Sequence, residues 1–399
     1  MTVPAEQQPK RRKKALLIFC TVVLGLGAAF FLVWVFYLRF IAYTDDAYVE
    51  GNQVYITPLH SGFITAIHSD DTYLVKEGQV LVDLDTTDAE IALSQAKDRL
   101  AQTVRDVCQL FHQVFIYEAE IQIRKAEYIK TAQDYEHRKA VIAEGGVSLE
   151  DFEHSIAFLS ASFYALQMTE LLYEKALAQV QGTSIREHPL VIQAADEVRF
   201  AFVQLHRCRI YSPVEGLVAQ RKIQVGMWVD AGRPLMSVIP LDQIWVNTNY
   251  KETQLKKMRI GQKVKIWSDL YGTDIEFQGK IAGLPGAAGN AFSLLPPQNL
   301  SGNWIKIVQR LPVRVTLDPE ALKTHPLRIG LSMHAIVDLR DTGGLLVPLT
   351  EEGSPTYQTP VYETEEQGDE EIISRIVEKN LDPALSDYAD TPLNPATEP

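Results

Sequence analysis

His60, His68, Asp70 and Asp71 lie close together near the start of the chain. Imidazole nitrogens and carboxylate oxygens are ordinary zinc ligands, so a metal site is the first chemistry to test. Their spacing fits no strong ligand pattern, and we read them as surface-loop residues. No Gly-x-Ser-x-Gly nucleophile motif occurs. The sequence therefore points to no metal, no cofactor and no enzyme, and its function must lie in what its elements position.

Two stretches share one β pattern. In "SGFITAIHSDDTYLVKEGQVLVDL" and "EGLVAQRKIQVGMWVDAGRPLMSV", Gly62 and Gly216 each precede an apolar pair. Gly78 and Gly232 follow at the same offset, and Leu81 or Leu235 opens the next strand-like run. We read all four glycines as turn positions of a duplicated β half.

The segment between the copies is helical. "TDAE" from Thr87 to Glu90 has the form of a capping box. Leu93, Leu100, Val107, Val114, Ile121, Tyr128, Tyr135 and Ile142 then recur every seven residues, the seam of a coiled coil. Thr87 to Ala143 would span roughly 85 Å as a helix. "EGGVS" stops it, and Ser148 with Asp151 can cap a second helix. Its seam reads Leu149, Phe152, Ile156, Leu159, Phe163, Leu166, Glu170, Tyr173, Leu177 and Val180. "QGTSIREHP" interrupts the pattern, which resumes at Val191. Two long helices joined by a short turn form an antiparallel hairpin. Such a hairpin returns the chain to its starting point, so the two β halves meet and complete one domain. Cys108 and Cys208 would be on the order of 30 Å apart along the rod, too far for a disulfide.

At the N-terminus, "KRRKK" precedes the uncharged run Ala15–Leu38. That run is long enough to cross a bilayer as an uncleaved anchor, with the basic end left in the cytoplasm. Cys20 lies inside it. The net charge of −13 is concentrated after Thr350, where thirteen acidic side chains face two basic ones. We expect a disordered tail there, dispensable for folding, and no basic face for nucleic acid elsewhere. Short alternating runs after the second β half (Ile244–Asn249, Lys263–Ser268, Glu276–Ile281, Asn303–Leu317, Ser332–Leu339) suggest a small β-barrel. "TDDAYVEGNQVYITP" either pairs with that barrel or leads into the first β half.

The expected organisation is α+β. Residues 1–14 form a basic tail, 15–38 a transmembrane helix and 39–53 a linker or barrel strand. Residues 54–86 and 209–241 are the β halves, 87–208 the hairpin, 242–342 the barrel and 343–399 the acidic tail.

This order resembles the membrane-fusion, or periplasmic adaptor, proteins of the HlyD family, and most closely their EmrA-type branch. The likeness rests on "TDDAYV", on the split halves, which look lipoyl-like, and on the hairpin. It rests above all on "YKETQLKKMRIGQ" and "AFSLLPPQNLSGNWIKIVQRLPVRV". It implies a single-pass inner-membrane protein of a Gram-negative cell, with its bulk in the periplasm. The implied partners are a major-facilitator multidrug exporter, a TolC-like outer-membrane channel and further copies of the chain in a ring. The alternative is an adaptor for an ABC exporter in type I protein secretion. A weaker third class is a membrane-anchored scaffold without transport. Carriers of lipoyl or biotinyl groups present a Lys between the β halves; here "DLDTTD" has none, and the hairpin fills that place. Relatives often carry Arg, Leu and Ser at the hairpin tip where it meets the channel. Ser148 matches the Ser, Val141 stands at the Leu position, and His137 stands at the Arg position beside Arg138. Lys251, Glu252 and Gln254 are read as barrel surface or exporter contacts.

Overall fold

A computed structural model of the chain describes residues 8–287, 308–348 and 355–394. Helix α1 (Gln8–Phe36) carries the apolar run. The stretch Lys14–Phe40 has a mean hydropathy of 2.7 and no fully buried side chain, and it is long and apolar enough to cross a membrane. After it comes β1 (Ile41–Gly51), in which Ala42 and Thr44 are buried, then, past a register shift, Ala47 and Val49. The stretch after α1 is therefore a barrel strand, with its end running on into β2.

The first β half supplies β2 (Val54–Ile56), β3 (Gly62–Ile67), β4 (Leu74–Val75) and β5 (Val80–Leu84). The hairpin follows as α2 (Thr87–Val141), α3 (Leu149–Val180) and α4 (Pro189–His206). The second half supplies β6 (Arg209–Tyr211), β7 (Gly216–Ala219), β8 (Trp228–Val229) and β9 (Met236–Ile239). The halves interleave into two four-stranded sheets, ordered β2-β9-β7-β4 and β6-β5-β3-β8. Each sheet mixes both halves: Val54 pairs with Val238, and Gly62 with Val229. Neither half buries its apolar face alone; Leu81, Val82, Val218, Val229, Leu235 and Val238 share one core.

The remaining strands are β10 (Ile244–Lys251), β11 (Lys263–Ser268), β12 (Phe277–Gly283) and β13 (Arg310–Leu317). A short α5 (Pro319–Thr324) precedes β14 (Ser332–Asp338). With β1 they close a six-stranded barrel, β1-β10-β13-β12-β11-β14. Closure removes free edges. Residues 288–307, which include most of the Gly/Pro loop and the start of the expected Asn303–Leu317 strand, lie outside the described residues.

Four expectations need correction. First, the four glycines are not equivalent. Gly78 and Gly232 occupy turns at φ 75° and 78°, where a Cβ is strained, but Gly62 and Gly216 begin strands. At Gly216 a Cβ would lie 2.5 Å from the Ile239 carbonyl oxygen, so the need there is close backbone approach. Second, the Thr87–Glu90 capping box does not form. Asp85 accepts from both the amide and the hydroxyl of Thr87, at 3.1 and 2.7 Å, which holds its carboxyl below the usual range.

Third, the return arm breaks at the expected interruption, but α3 is rotated about its axis: it keeps Phe152, Leu159, Leu166, Tyr173, Leu177 and Val180 of the expected seam inside and turns the other four out. Ser155, Ser162, Thr169 and Ala176 are buried, whereas Leu149, Ile156, Phe163 and Glu170 are exposed. Together with Phe152, Leu159, Leu166, Tyr173 and Val180 the inner residues keep alternating steps of three and four. Small residues let the helices approach opposite the bulky α2 seam. Ser162 Oγ meets Thr131 Oγ1 of α2 at 2.6 Å.

Fourth, the acidic tail folds over residues 355–394. Helix α6 (Asp369–Asn380) lies on α2 and α4, and Ile373, Val377, Leu385 and Leu393 join the hairpin core. The break in the return arm is where the tail docks. The amides of Gly182, Ile185 and Arg186 donate to the carbonyls of Leu393, Tyr388 and Ala389 at 3.0–3.1 Å. Composition alone hides this, because α6 has a narrow apolar stripe whose partner surface comes from elsewhere in the chain.

Candidate functional site

The hairpin tip is built by two helix ends. Helix α2 runs into a 3-10 turn, Ile142–Glu144, and Gly145 at φ 77° reverses the chain. The Gly146 amide donates to the Val141 carbonyl at 3.1 Å, closing the helix end. Ser148 caps α3: its Oγ accepts from the Asp151 amide at 3.1 Å and donates to the Asp151 carboxylate at 2.6 Å. Arg138 reaches across from α2 and donates to the Asp151 carbonyl at 2.9 Å. Tyr135 stacks on Phe152 just below, with ring centroids 5.7 Å apart.

The four tip residues therefore come together, in unequal roles. Arg138 and Ser148 spend their polar groups on the turn itself. His137 points to solvent, and Val141 is 38% exposed at the very end of α2. The tip thus presents an exposed apolar side chain framed by polar ones.

At the barrel, Gln254 is committed within the fold. Its Oε1 accepts from the Lys251 amide at 3.0 Å, and its Nε2 donates to the Tyr43 carbonyl at 3.3 Å. Lys251 and Glu252 are exposed.

The residues first weighed for chemistry are dispersed. His68 Nε2 pairs with Asp83 at 2.7 Å. Asp70 takes the Arg221 guanidinium at 2.6 Å, which holds its carboxyl below the usual range, and Asp71 accepts the Arg221 amide at 2.9 Å. Partial burial, and then Arg207, push the His60 imidazole down. Among the described residues no group of three His, Cys, Asp or Glu side chains could hold a metal ion. Cys108 packs in the hairpin core and Cys208 in the β core; both are free, and burial pushes both thiols up.

One feature was missed in the sequence: the tail joins the lower part of the hairpin through ion pairs and hydrogen bonds. Arg207 holds Glu365 at 2.8 Å, Arg186 holds Asp390 at 3.0 Å, and His112 meets Asp382 at 2.8 Å. Only the spacing of Ile372, Ile373, Ile376 and Val377 hinted at it.

Comparison with known proteins decides the family. Residues 87–208 match the model described as "EMRA, alpha-helical hairpin domain". The chain is 41% identical over 378 residues to the Probable multidrug resistance protein EmrK of Escherichia coli K12, covering 94% of this chain and 97% of that one. The chain belongs to the EmrA family of membrane fusion proteins. Another EmrA-family relative, the Multidrug export protein EmrA of Haemophilus influenzae, is 38% identical over 92% of this chain and 95% of its own. The Fatty acid resistance protein FarA of Neisseria gonorrhoeae is 41% identical over 75% and 76%. A solved structure of the periplasmic adaptor protein EmrA aligns with a TM-score of 0.38 and 17% identity, covering 75% of this chain and 98% of that one.

Proposed function

We propose that this EmrA-family chain is the non-enzymatic adaptor of a tripartite multidrug efflux system. Its N-terminus lies in the cytoplasm, α1 crosses the inner membrane of a Gram-negative cell, and the bulk occupies the periplasm. It links a major-facilitator exporter at the membrane end to a TolC-like channel at the hairpin tip. The observation that carries this reading is the distance between those ends. Helix α2, at 55 residues, sets the tip about 80 Å from the β sandwich, while the barrel is joined directly to α1. A rod of this length suits a bridge between two membranes. The names of the relatives supply the drug class. Exposed apolar residues on the hairpin, among them Ile116, Ile123, Phe158, Met168 and Leu171, support lateral packing of copies in a ring.

Affinity purification of the full chain from native membranes tests the reading. A major-facilitator exporter and an outer-membrane channel should be recovered in comparable amounts. Recovery of an ABC exporter in their place would overturn it in favour of protein secretion.

A further inference from the structure

Where the chain leaves the membrane, three cations gather on two aromatic rings. The Tyr37 amide donates to the Val33 carbonyl at 2.9 Å, so Tyr37 belongs to the last turn of the span. The Arg340 guanidinium lies 5.6 Å from the Tyr37 ring centroid. Arg39 and the Lys257 ammonium lie 4.7 and 5.2 Å from the Phe40 ring. Leu38–Phe40 is a 3-10 turn, so Phe40 is about 6 Å beyond Tyr37 at roughly 2 Å per residue. The headgroup layer on each side of the hydrocarbon is about 5–8 Å thick. All three cations therefore sit at headgroup depth, although they come from three separate parts of the chain.

An apolar ridge is fixed beside them. Leu345, Leu346 and Val347 are 55%, 55% and 72% exposed. Their loop is held by the backbone. The Ile260 amide donates to the Leu345 carbonyl at 3.0 Å, and buried Gln262 donates to the carbonyls of Lys257 and Asp341 at 2.9 and 2.5 Å. Gly344 packs so closely that a Cβ would collide with the Ile260 carbonyl oxygen. The same segment, residues 257–262, thus carries Lys257 and supports the ridge. Nearby carboxylates are Asp338, 3.6 Å from Arg340, and exposed Asp341. Arg259 is folded onto the carbonyls of Lys256 and Met258.

We propose that this end of the barrel is a second membrane contact. Arg39, Lys257 and Arg340 bind anionic phospholipid headgroups of the bilayer that α1 crosses, and Leu345–Val347 enter the interfacial layer. Cations beside a small apolar ridge are the pairing that holds a peripheral surface on an anionic membrane. The contact would fix the tilt of the barrel relative to the span, which one helix joined by a short turn does not fix by itself. The proposal rests on reading α1 as the span; a chain whose α1 did not insert would not enter a lipid disc at all, so the two failures are distinguishable.

The test uses the full chain in detergent, in phosphatidylcholine nanodiscs, and in nanodiscs with one third phosphatidylglycerol, without exporter. Amide hydrogen exchange of residues 254–262 and 340–347 should slow at least tenfold in the anionic discs relative to detergent, and less in the neutral discs. Arg39→Gln with Lys257→Gln and Arg340→Gln should erase the difference between the two discs. Leu346→Asn with Val347→Asn, at exposed positions, should reduce protection of the loop in both. Equal exchange in all three media would overturn the proposal. Equal protection in both discs would reject its anionic part. Protection that appears only when the exporter is added would assign the surface to that protein instead.

Discussion

The guanidinium of Arg199, on α4, donates through Nε to the carboxylate of Asp369 at 3.2 Å. Asp369 opens α6 and is 3% exposed. A carboxylate so buried needs its charge partner, because desolvation without pairing is costly. Asp196 and Glu370 also contact Arg199, and the Glu370 bond is the main cause that pushes the guanidinium pKa up. A residue inside the hairpin thus holds down a helix near the C-terminus, and the tail is part of the hairpin base.

Truncation after Thr350 should accordingly lower the thermal midpoint of the hairpin in detergent. Leu385→Ala, at a 1% exposed side chain, should cost about 2–5 kcal/mol of tail docking. Limited proteolysis should then cut the tail first. An unchanged midpoint and digestion pattern would show that the tail contributes nothing to the base.

Tail docking should also weaken in acid. The Asp382 carboxyl is held below its usual pKa, first by the hydrogen bond from His112 and then by the Ala384 amide. A carboxylate lowered in the folded state stabilises it above the unfolded pKa of about 4, and that contribution is lost as pH falls through the folded value. Protease accessibility of the tail should rise below about pH 4. Asp382→Asn should loosen the tail at pH 7 and flatten part of that dependence; a profile identical to wild type would show that this pair is idle.

Inside the hairpin, Ser162 and Phe163 make opposite predictions. Ser162→Leu forces bulk against Thr131 and should destabilise by about 1–3 kcal/mol. Phe163→Ala removes a half-exposed ring and should change stability by less than about 1 kcal/mol. Urea unfolding followed by helix circular dichroism compares them. A larger loss in the Phe163 variant would restore the seam expected from apolar spacing.

At the tip, Ser148→Ala should cost about 1 kcal/mol through the lost cap. Ser148→Asp is no neutral replacement here, because it would set a second carboxylate where Ser148 now donates to Asp151. Val141→Asp is the cleaner probe of docking, since the Val141 side chain is partly exposed and apolar, and the bond it accepts from Gly146 is made by its backbone. It should abolish drug resistance at normal protein level and unchanged melting. Full resistance would reject the tip as the channel contact.

Much of this protein is determined by sequence periodicity. A long uncharged run, a β pattern repeated around an insert, and a heptad seam through α2 are local signals, each strong enough to survive any arrangement of the rest. The span, the joined β halves and the hairpin follow from them. Tertiary structure decided what periodicity does not encode. An apolar count selects the larger residues of α3, but the bulky α2 seam leaves room for Ser155, Ser162 and Thr169. Helix α6 has 12 residues, too few to be stable alone in water, and it folds because α2 and α4 supply the apolar surface it lacks. Arg39, Lys257 and Arg340 become neighbours only when the barrel closes and brings β1, β11 and β14 to the same end of the span. A local pattern shows that a face will be buried; the surface that covers it comes from residues far away in the chain.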